Sequence, residues 1–447
     1  MRMNFPLKAL AVGGLALLLL IPLALTLGLV EGRNHRQMET EQQVARLTAT
    51  PQTLIGPLLV VPYTMDVRRL EGQSEAGGVR EVWVEQSFEH RLVPRDLELV
   101  GTVQIEARRR GLYRTQVYRL NGPLVGSFDL PAQAGLPSGR NLKIGEPFLV
   151  LGLADPRGIQ NRMVITLEGR VWPFQAGSRQ AHPAKGIHAP LPGLGLSMAR
   201  TLSFRIDLEL MGTRSFQLAP VAGETRVSLR GSWPAPSFEG GFAPVERSWS
   251  SAGFQAQWKV PHLSRDLEQL LRGGEVGTSQ HFGVAFLDPV NLYLLSERAA
   301  KYGFLFVLLT FGAFLLRERL KGEPIHMIQY LLVGAALALF FLLLLSLAEH
   351  IGFGRAYLAA AAANLSLLGT YLTGALKGRR EGAWFTGGLA LLYGALYGLL
   401  ASEDNALLLG SSLLFLLLAG VMVGTRKLDW QRSERTPIPP PASLLQP

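Results

Sequence analysis

Tyr330-Leu331-Leu332-Val333-Gly334-Ala335-Ala336-Leu337-Ala338-Leu339-Phe340-Phe341-Leu342-Leu343-Leu344-Leu345-Ser346-Leu347 runs without a charge. Only a helix in lipid has use for such a run, because a hydrocarbon core of ~30 Å takes about 20 helical residues to cross. Ala348-Glu349-His350-Ile351-Gly352-Phe353 follows it and interrupts the apolar record with an acid and a histidine. Similar runs lie at Tyr302–Leu316, Ala356–Leu376, Trp384–Ala401 and Ala406–Thr425. The first of these is short for a crossing, and snorkelling flanks would extend it. Ser402-Glu403-Asp404 is a second acidic interruption, between the last two runs. Residues 296–430 therefore read as a five-helix membrane bundle.

The chain also opens with an apolar run. Ala9–Val30 carries no charge and follows a short cytoplasmic segment, 1–8, with Arg2 and Lys8. It exceeds the usual apolar core of a cleaved leader and no small-residue exit site follows it, so it reads as an uncleaved anchor. Pro22 would kink it. With this anchor the expectation is six transmembrane helices. Basic residues test the arrangement, since they collect in cytoplasmic loops. Arg317, Arg319 and Lys321, then Lys377, Arg379 and Arg380, then Arg426, Lys427, Arg432 and Arg435 fall on one side. The other side has Arg355 in its short loops, with Arg298 and Lys301 flanking the first bundle helix. Both termini are expected in the cytoplasm. The Pro-rich tail, 431–447, reads as disordered.

Residues 31–295 have a different grammar. Glu31–Leu47 reads as a helical stalk. Beyond it, Val82–Phe88, Leu97–Ala107, Gln116–Leu120, Val164–Val171, Leu202–Leu210 and Thr225–Leu229 alternate apolar and polar residues between Gly, Pro and Asn turns. That period of two predicts antiparallel strands covering a core face. The fold class expected is a membrane α-helical bundle plus a large, mainly-β extracytoplasmic domain of one or two sandwich lobes. Asp96-Leu97-Glu98-Leu99-Val100-Gly101 echoes Asp207-Leu208-Glu209-Leu210-Met211-Gly212, which raises a duplicated lobe as an alternative to two strands of like alternation. Gly177–Gly195, with His182 and His188, reads as a surface loop rather than a metal site, because no acidic partner is near.

The chain has no cysteine, so disulfides and thiolate chemistry are excluded. Its formal charge of +10 follows from the loop arginines and lysines, and no basic stripe with interleaved aromatics points to nucleic acid. No phosphate loop, nucleophile elbow or zinc helix is present, and Asp155-Pro156-Arg157-Gly158 reads as a turn before it reads as a site. No cofactor or metal is expected. The topology instead gathers Arg298, Lys301, Glu349, His350, Glu403 and Asp404 on one outer rim. Three readings of that rim stand: an ionic latch between helix ends and the β domain, ordinary solvated charges, or a proton, ion or substrate site. Gln329, Asn364, Ser366 and Thr370 are polar positions in the helices, and Gly394 with Gly398 would allow close helix packing.

Several of these stretches resemble one family. Gln329 to Gly334, Leu342 to Leu347 with Glu349 to Phe353, and Glu403-Asp404 with Ala406 to Gly410 closely resemble the CreD family of bacterial inner-membrane proteins. Gln52 to Pro57 with Pro62-Tyr63, Arg110 to Tyr113 with Val117-Tyr118, Trp233-Pro234 with Pro236 to Phe238, and Arg298-Ala299 with Lys301-Tyr302 are similar too. Met327, Ala348 and Asn405 depart mildly from the pattern. The resemblance implies a multi-pass inner-membrane protein tied to cell-envelope integrity and a stress response, without an established enzymatic activity. The partners expected are the lipid bilayer and an envelope protein or polymer. The rival expectation is a transporter or channel gated at the rim; a membrane enzyme around His350 is a third.

Overall fold

A computed structural model describes residues 5–72, 79–264, 280–286, 288, 291–376, 378–402 and 406–426. The chain divides into two compact units: Met1–His35 with Val290–Pro447, and Arg36–Pro289.

The first unit is helical. α1 (Phe5–Leu18) gives way to α2 (Leu20–Leu47). The interruption lies where Pro22 lacks the N–H that would bond to the carbonyl four residues back, and the ring crowds that carbonyl. α3 (Leu292–Lys301) and α4 (Gly303–Lys321) follow the β unit in sequence, then α5 (Met327–Ile351), α6 (Phe353–Ala375), α7 (Arg379–Ala401) and α8 (Ala406–Thr425). Five stretches are long and apolar enough to cross a membrane: Leu7–Leu47, Leu292–Lys321, Met327–Ile351, Phe353–Ala375 and Arg379–Ala401. A shorter apolar stretch, Leu408–Gly420, lies on α8. The short run at Tyr302–Leu316 is thus the apolar middle of a longer helical stretch.

Val12, Ala16, Leu19 and Leu23 recur at steps of three and four, so one stripe of the N-terminal helices faces the bundle core. Gly334 of α5 makes room for it: a Cβ there would lie 2.2 Å from Leu19 Cδ1 and 2.8 Å from Phe311 Cζ. Close helix approach was expected at Gly394 and Gly398, but nothing lies within 4 Å of a Cβ at either position. Both look away from their described neighbours. The intimate contact of α6 with α7 is at Gly382, whose Cβ would meet Thr373 Cα at 2.7 Å. Aromatic rings fill the interior. Phe340 meets Phe341, Tyr357 and Tyr393 with ring centroids 4.9, 5.5 and 4.6 Å away. Such edge-on pairs matter in lipid, where apolar burial alone does not draw helices together.

The second unit is a sandwich of two sheets. The first sheet runs β14 (Ser237–Gly240), β17 (Phe282–Ala285), β12 (Ser215–Ala219), β1 (Gln52–Gly72), β6 (Phe148–Leu153), β10 (Gly186–Pro190), β9 (Gln175–Ala176), with β2 (Val79–Leu92) and β5 (Arg140–Ile144) on the far part of β1. The second runs β15 (Glu246–Ser250), β16 (Gly253–Pro261), β13 (Glu224–Gly231), β3 (Asp96–Arg110), β4 (Tyr113–Leu130), β11 (Arg200–Thr213), β7 (Val164–Leu167), β8 (Arg170–Pro173). Their inner faces share one core: Leu54, Leu151 and Phe216 from the first sheet meet Leu99, Leu208 and Trp258 from the second. The alternation read in the sequence is the burial pattern of β3 and β11, whose Leu97, Leu99, Leu208 and Leu210 point inward. The two Asp-Leu-Glu-Leu copies flank β4 in the same sheet, so they are two strands of one lobe. Gly101 and Gly122 face each other in an unbroken β3–β4 register and let the two backbones approach closely, since a Cβ on Gly122 would sit 2.1 Å from the Val100 carbonyl oxygen.

The Gly/Pro-rich stretch from Gly177 to Gly195 is more ordered than a surface loop. It contains β10 and covers the outer face of β6, whose residues are buried on both sides. Arg179 lies over the Phe148 ring at 4.8 Å, and the His188 ring meets it edge-on. His188 Nδ1 is 2.7 Å from the Gly177 carbonyl oxygen, so the histidine closes a turn. Asp155 to Gly158 is a turn as well: Asp155 caps it, accepting from Arg157 N at 3.2 Å.

Both connections to the helices leave the same end of this sandwich. Ala49 O accepts from Thr213 Oγ1 at 3.0 Å, just before β1. Phe286 N donates to Arg214 O at 2.6 Å, just after β17.

Candidate functional site

Glu349 lies in the last turn of α5, its side chain only 6% exposed. Two helices bring it partners. Tyr293 Oη, from the first turn of α3, donates to Glu349 Oε1 at 3.3 Å. Arg33 Nε, from α2, approaches the same oxygen at 3.5 Å. A carboxylate withdrawn from water is stable when hydrogen-bonded and paired, and here one oxygen receives both a hydroxyl and a guanidinium. In sequence, Arg33 stands just before the β unit and Tyr293 just after it. The helix that leads out of the membrane and the helix that leads back in are thus tied to the end of α5 by one carboxylate.

His350 and Lys301 are held within their own helices instead. His350 is exposed, with Nδ1 at 3.0 Å from the Ser346 carbonyl oxygen of its own helix. Lys301 pairs with Glu297 one turn earlier at 2.7 Å. Arg298 is half-buried in the last turn of α3. Glu403 and Asp404 lie outside the described residues. Gln329 is a capping residue: its Oε1 accepts from His326 N at 2.9 Å at the start of α5. Asn364 is buried and donates through Nδ2 to Tyr393 Oη at 2.7 Å, while Tyr357 Oη donates to the Tyr393 carbonyl at 2.7 Å. Together they clasp α6 to α7. Among the described residues, no group of three or more His, Cys, Asp or Glu side chains could hold a metal ion.

A denser charge cluster lies elsewhere. Arg317 of α4 is buried, and its guanidinium reaches Glu381 Oε2 of α7 at 2.6 Å and Glu323 Oε2 at 2.8 Å. Lys321 also pairs with Glu381. Lys8 of α1 donates to Glu318 Oε1 at 2.5 Å and to the Ile325 carbonyl at 2.7 Å. These contacts fasten α1, α4 and α7 where the sequence displayed only loop arginines and lysines. Orientation is read from basic residues alone, so Glu318, Glu323 and Glu381 passed without notice.

A sequence model for the inner membrane protein CreD matches residues 4–431. The chain belongs to the CreD family. The inner membrane protein CreD of Escherichia coli (strain K12) is 36% identical to it over 420 residues, covering 93% of this chain and 92% of that one. The CreD match takes in the helices and the β unit alike, so this is a multi-pass inner-membrane protein. Within the helical unit, a recess of about 440 Å³ opens between α5 and α6. Leu339, Leu343, Phe340 and Leu367 line it, with Ser346 and Asn364 as its polar contributions. It is an apolar groove on the lipid side, since Leu339 and Leu367 are both largely exposed.

Proposed function

We propose that this CreD-family protein maintains the cell envelope as a non-enzymatic scaffold. Residues 31–295, which include the β unit, stand on the extracytoplasmic side of the inner membrane with both termini in the cytoplasm. There the β unit contacts an envelope protein or polymer, and the helices anchor that contact. The observation that carries this reading is the Glu349 junction. A load on the β unit passes into the membrane through α2 and α3, and Glu349 holds both to α5 beside Arg33 and Tyr293. The aromatic filling of the bundle around Phe340, Tyr357 and Tyr393 supports a scaffold over the rival reading, a transporter gated at the rim, which would need a polar path.

Cells lacking their own copy, challenged with envelope stress, test it. At equal membrane abundance, Glu349→Gln lowers survival and His350→Ala keeps it; Glu403→Gln and Asp404→Asn measure the remainder of the rim. Wild-type survival of all four would sink the coupling role. The cysteine-free chain makes the orientation testable. A cysteine at Met198, 78% exposed, reacts with a membrane-impermeant maleimide in intact cells, whereas one at Leu320, 59% exposed, reacts only after lysis. The opposite result inverts the topology.

A further inference from the structure

At the end of the β unit that carries both connections to the helices, β3 and β4 outrun their neighbours. The last register pair with β11 is Thr213–Val117, and with β13 it is Gly231–Val103. The β3–β4 ribbon continues past both to Arg110–Tyr113. Its inward alternation stops there, and Glu106 is followed by Ala107, Arg108, Arg109 and Arg110, all exposed. A two-stranded ribbon without a covered face is marginal alone in water, so its residues answer to something outside the core. The tip turns at Gly111-Leu112, with Gly111 at φ +62° and Leu112 44% exposed. Arg108, Arg109, Arg110 and Arg114 surround that leucine, and none of the four pairs with a carboxylate among the described residues. Of the acids at this end, Glu106 adjoins them, Glu41 is held by Arg214 at 3.4 Å and Asp155 by Arg157 at 2.6 Å.

A separate loop at the same end repeats the chemistry. The turn joining β15 to β16 lies beside Gly231, since Phe254 pairs with that residue. It presents Trp249, 57% exposed, with the Arg247 guanidinium 5.7 Å from its ring centroid. Tryptophan settles at the headgroup level of membranes, and guanidinium forks match phosphate oxygens two at a time. The chain leaves this end only to enter helices long enough to cross a bilayer.

We propose that the arginine-tipped ribbon docks on the anionic phosphate headgroups of the bilayer that the protein's own helices cross. Leu112 enters the interface at the tip, while Trp249 stands further back, level with Val103. The β unit is thereby fixed to the lipid surface as well as to the helices. This holds for whichever leaflet it faces, since both carry phosphates, and so stands apart from the envelope role above.

The test uses the full chain in lipid nanodiscs of phosphatidylcholine alone or with phosphatidylglycerol. A single cysteine at Leu112 carries an environment-sensitive fluorophore, and some lipids carry a quencher near the headgroup. A second protein is labelled at Met198, at the opposite end of the sandwich just before β11. In the anionic discs the probe at 112 shifts blue and is quenched, while the probe at 198 is not. Each basic residue near an anionic surface is worth about a fivefold preference. Arg109→Gln with Arg110→Gln therefore lowers the docked-to-free ratio roughly 25-fold, and added salt weakens docking further. An unquenched probe at 112 in anionic discs overturns the proposal. So does quenching of equal strength in phosphatidylcholine discs that the arginine substitutions leave unchanged.

Discussion

Removing the Glu349 carboxylate releases the end of α5 from Arg33 of α2 and Tyr293 of α3. Its pair with Arg33 is long at 3.5 Å, and Arg33 is 38% exposed, so the pair is weaker than a buried bidentate one. Polar contacts between membrane helices average about 0.6 kcal/mol and reach about 1.7 kcal/mol. The Arg33–Glu349 coupling should then be about 1 kcal/mol, and the Tyr293 hydrogen bond about as much again. Glu349→Ala loses both, about 2 kcal/mol in all, since Arg33 can turn to water and leaves no stranded buried charge. Glu349→Gln keeps an acceptor for Tyr293 and loses about half of that. The measurement is a double-mutant cycle of Arg33→Ala and Glu349→Ala on the full chain, unfolded reversibly by SDS in mixed micelles. A coupling within about 0.3–0.5 kcal/mol of zero, the range in which independent sites simply add, refutes the junction.

Other outcomes follow from the same contacts. Asp155 is held at about 2, below its ordinary 3.8, chiefly by the Arg157 guanidinium, with backbone N–H groups of Thr50 and Arg157 adding to it. A depressed carboxylate stabilises the fold above its unfolded pKa and loses that contribution as pH falls through the folded one. Asp155→Asn should therefore cost about 1–2 kcal/mol near neutrality, discounted because Arg157 is solvent-exposed, with the difference vanishing between about pH 4 and pH 2. Thermal melts of the β signal across that range check it. Phe340→Ala should weaken the bundle by roughly 3 kcal/mol in the SDS titration, because its rotamer fills the space between α5, α6 and α7. Gly122→Ala should abolish the soluble-like β signal and lower membrane abundance, since its Cβ would collide with the rigid backbone carbonyl of Val100. A melting curve like that of the wild type would refute that account.

The lipid-crossing runs were legible because a bilayer accepts little besides unbroken apolar helix, and the strands because one covered face enforces alternation. β10 was missed for the converse reason. Ile187-His188-Ala189 is covered on both sides, so it has no period of two, and the surrounding Gly and Pro read as loop. The rim was legible as charge but not as pairing. Arg33 looked like part of a solvated stalk, and Tyr293 lay on the border between strand and helix grammar. Only the fold shows that α2 and α3 both pass the end of α5, which selects Glu349 and leaves His350 and Lys301 to their own helices.

The order of the strands also sets a schedule. β3 finds β4 at once, but its other edge waits for β13, with Asp96 paired to Glu224 in parallel. The start of β1 waits longer, for Ala49 and Thr213 meet across 164 residues. Chains emerge at about 5–20 residues per second, so that wait lasts roughly ten to thirty seconds. The alternating edge of Leu97–Val103 is open over an overlapping interval, from its own synthesis until Glu224–Gly231 follow, and it is the kind of surface on which a second chain can add a strand. The N-terminal anchor is already made by then and can hold each nascent copy in the bilayer apart from its neighbours. Deleting the anchor would strip the β unit of that isolation during the interval in which it is most exposed to aggregation.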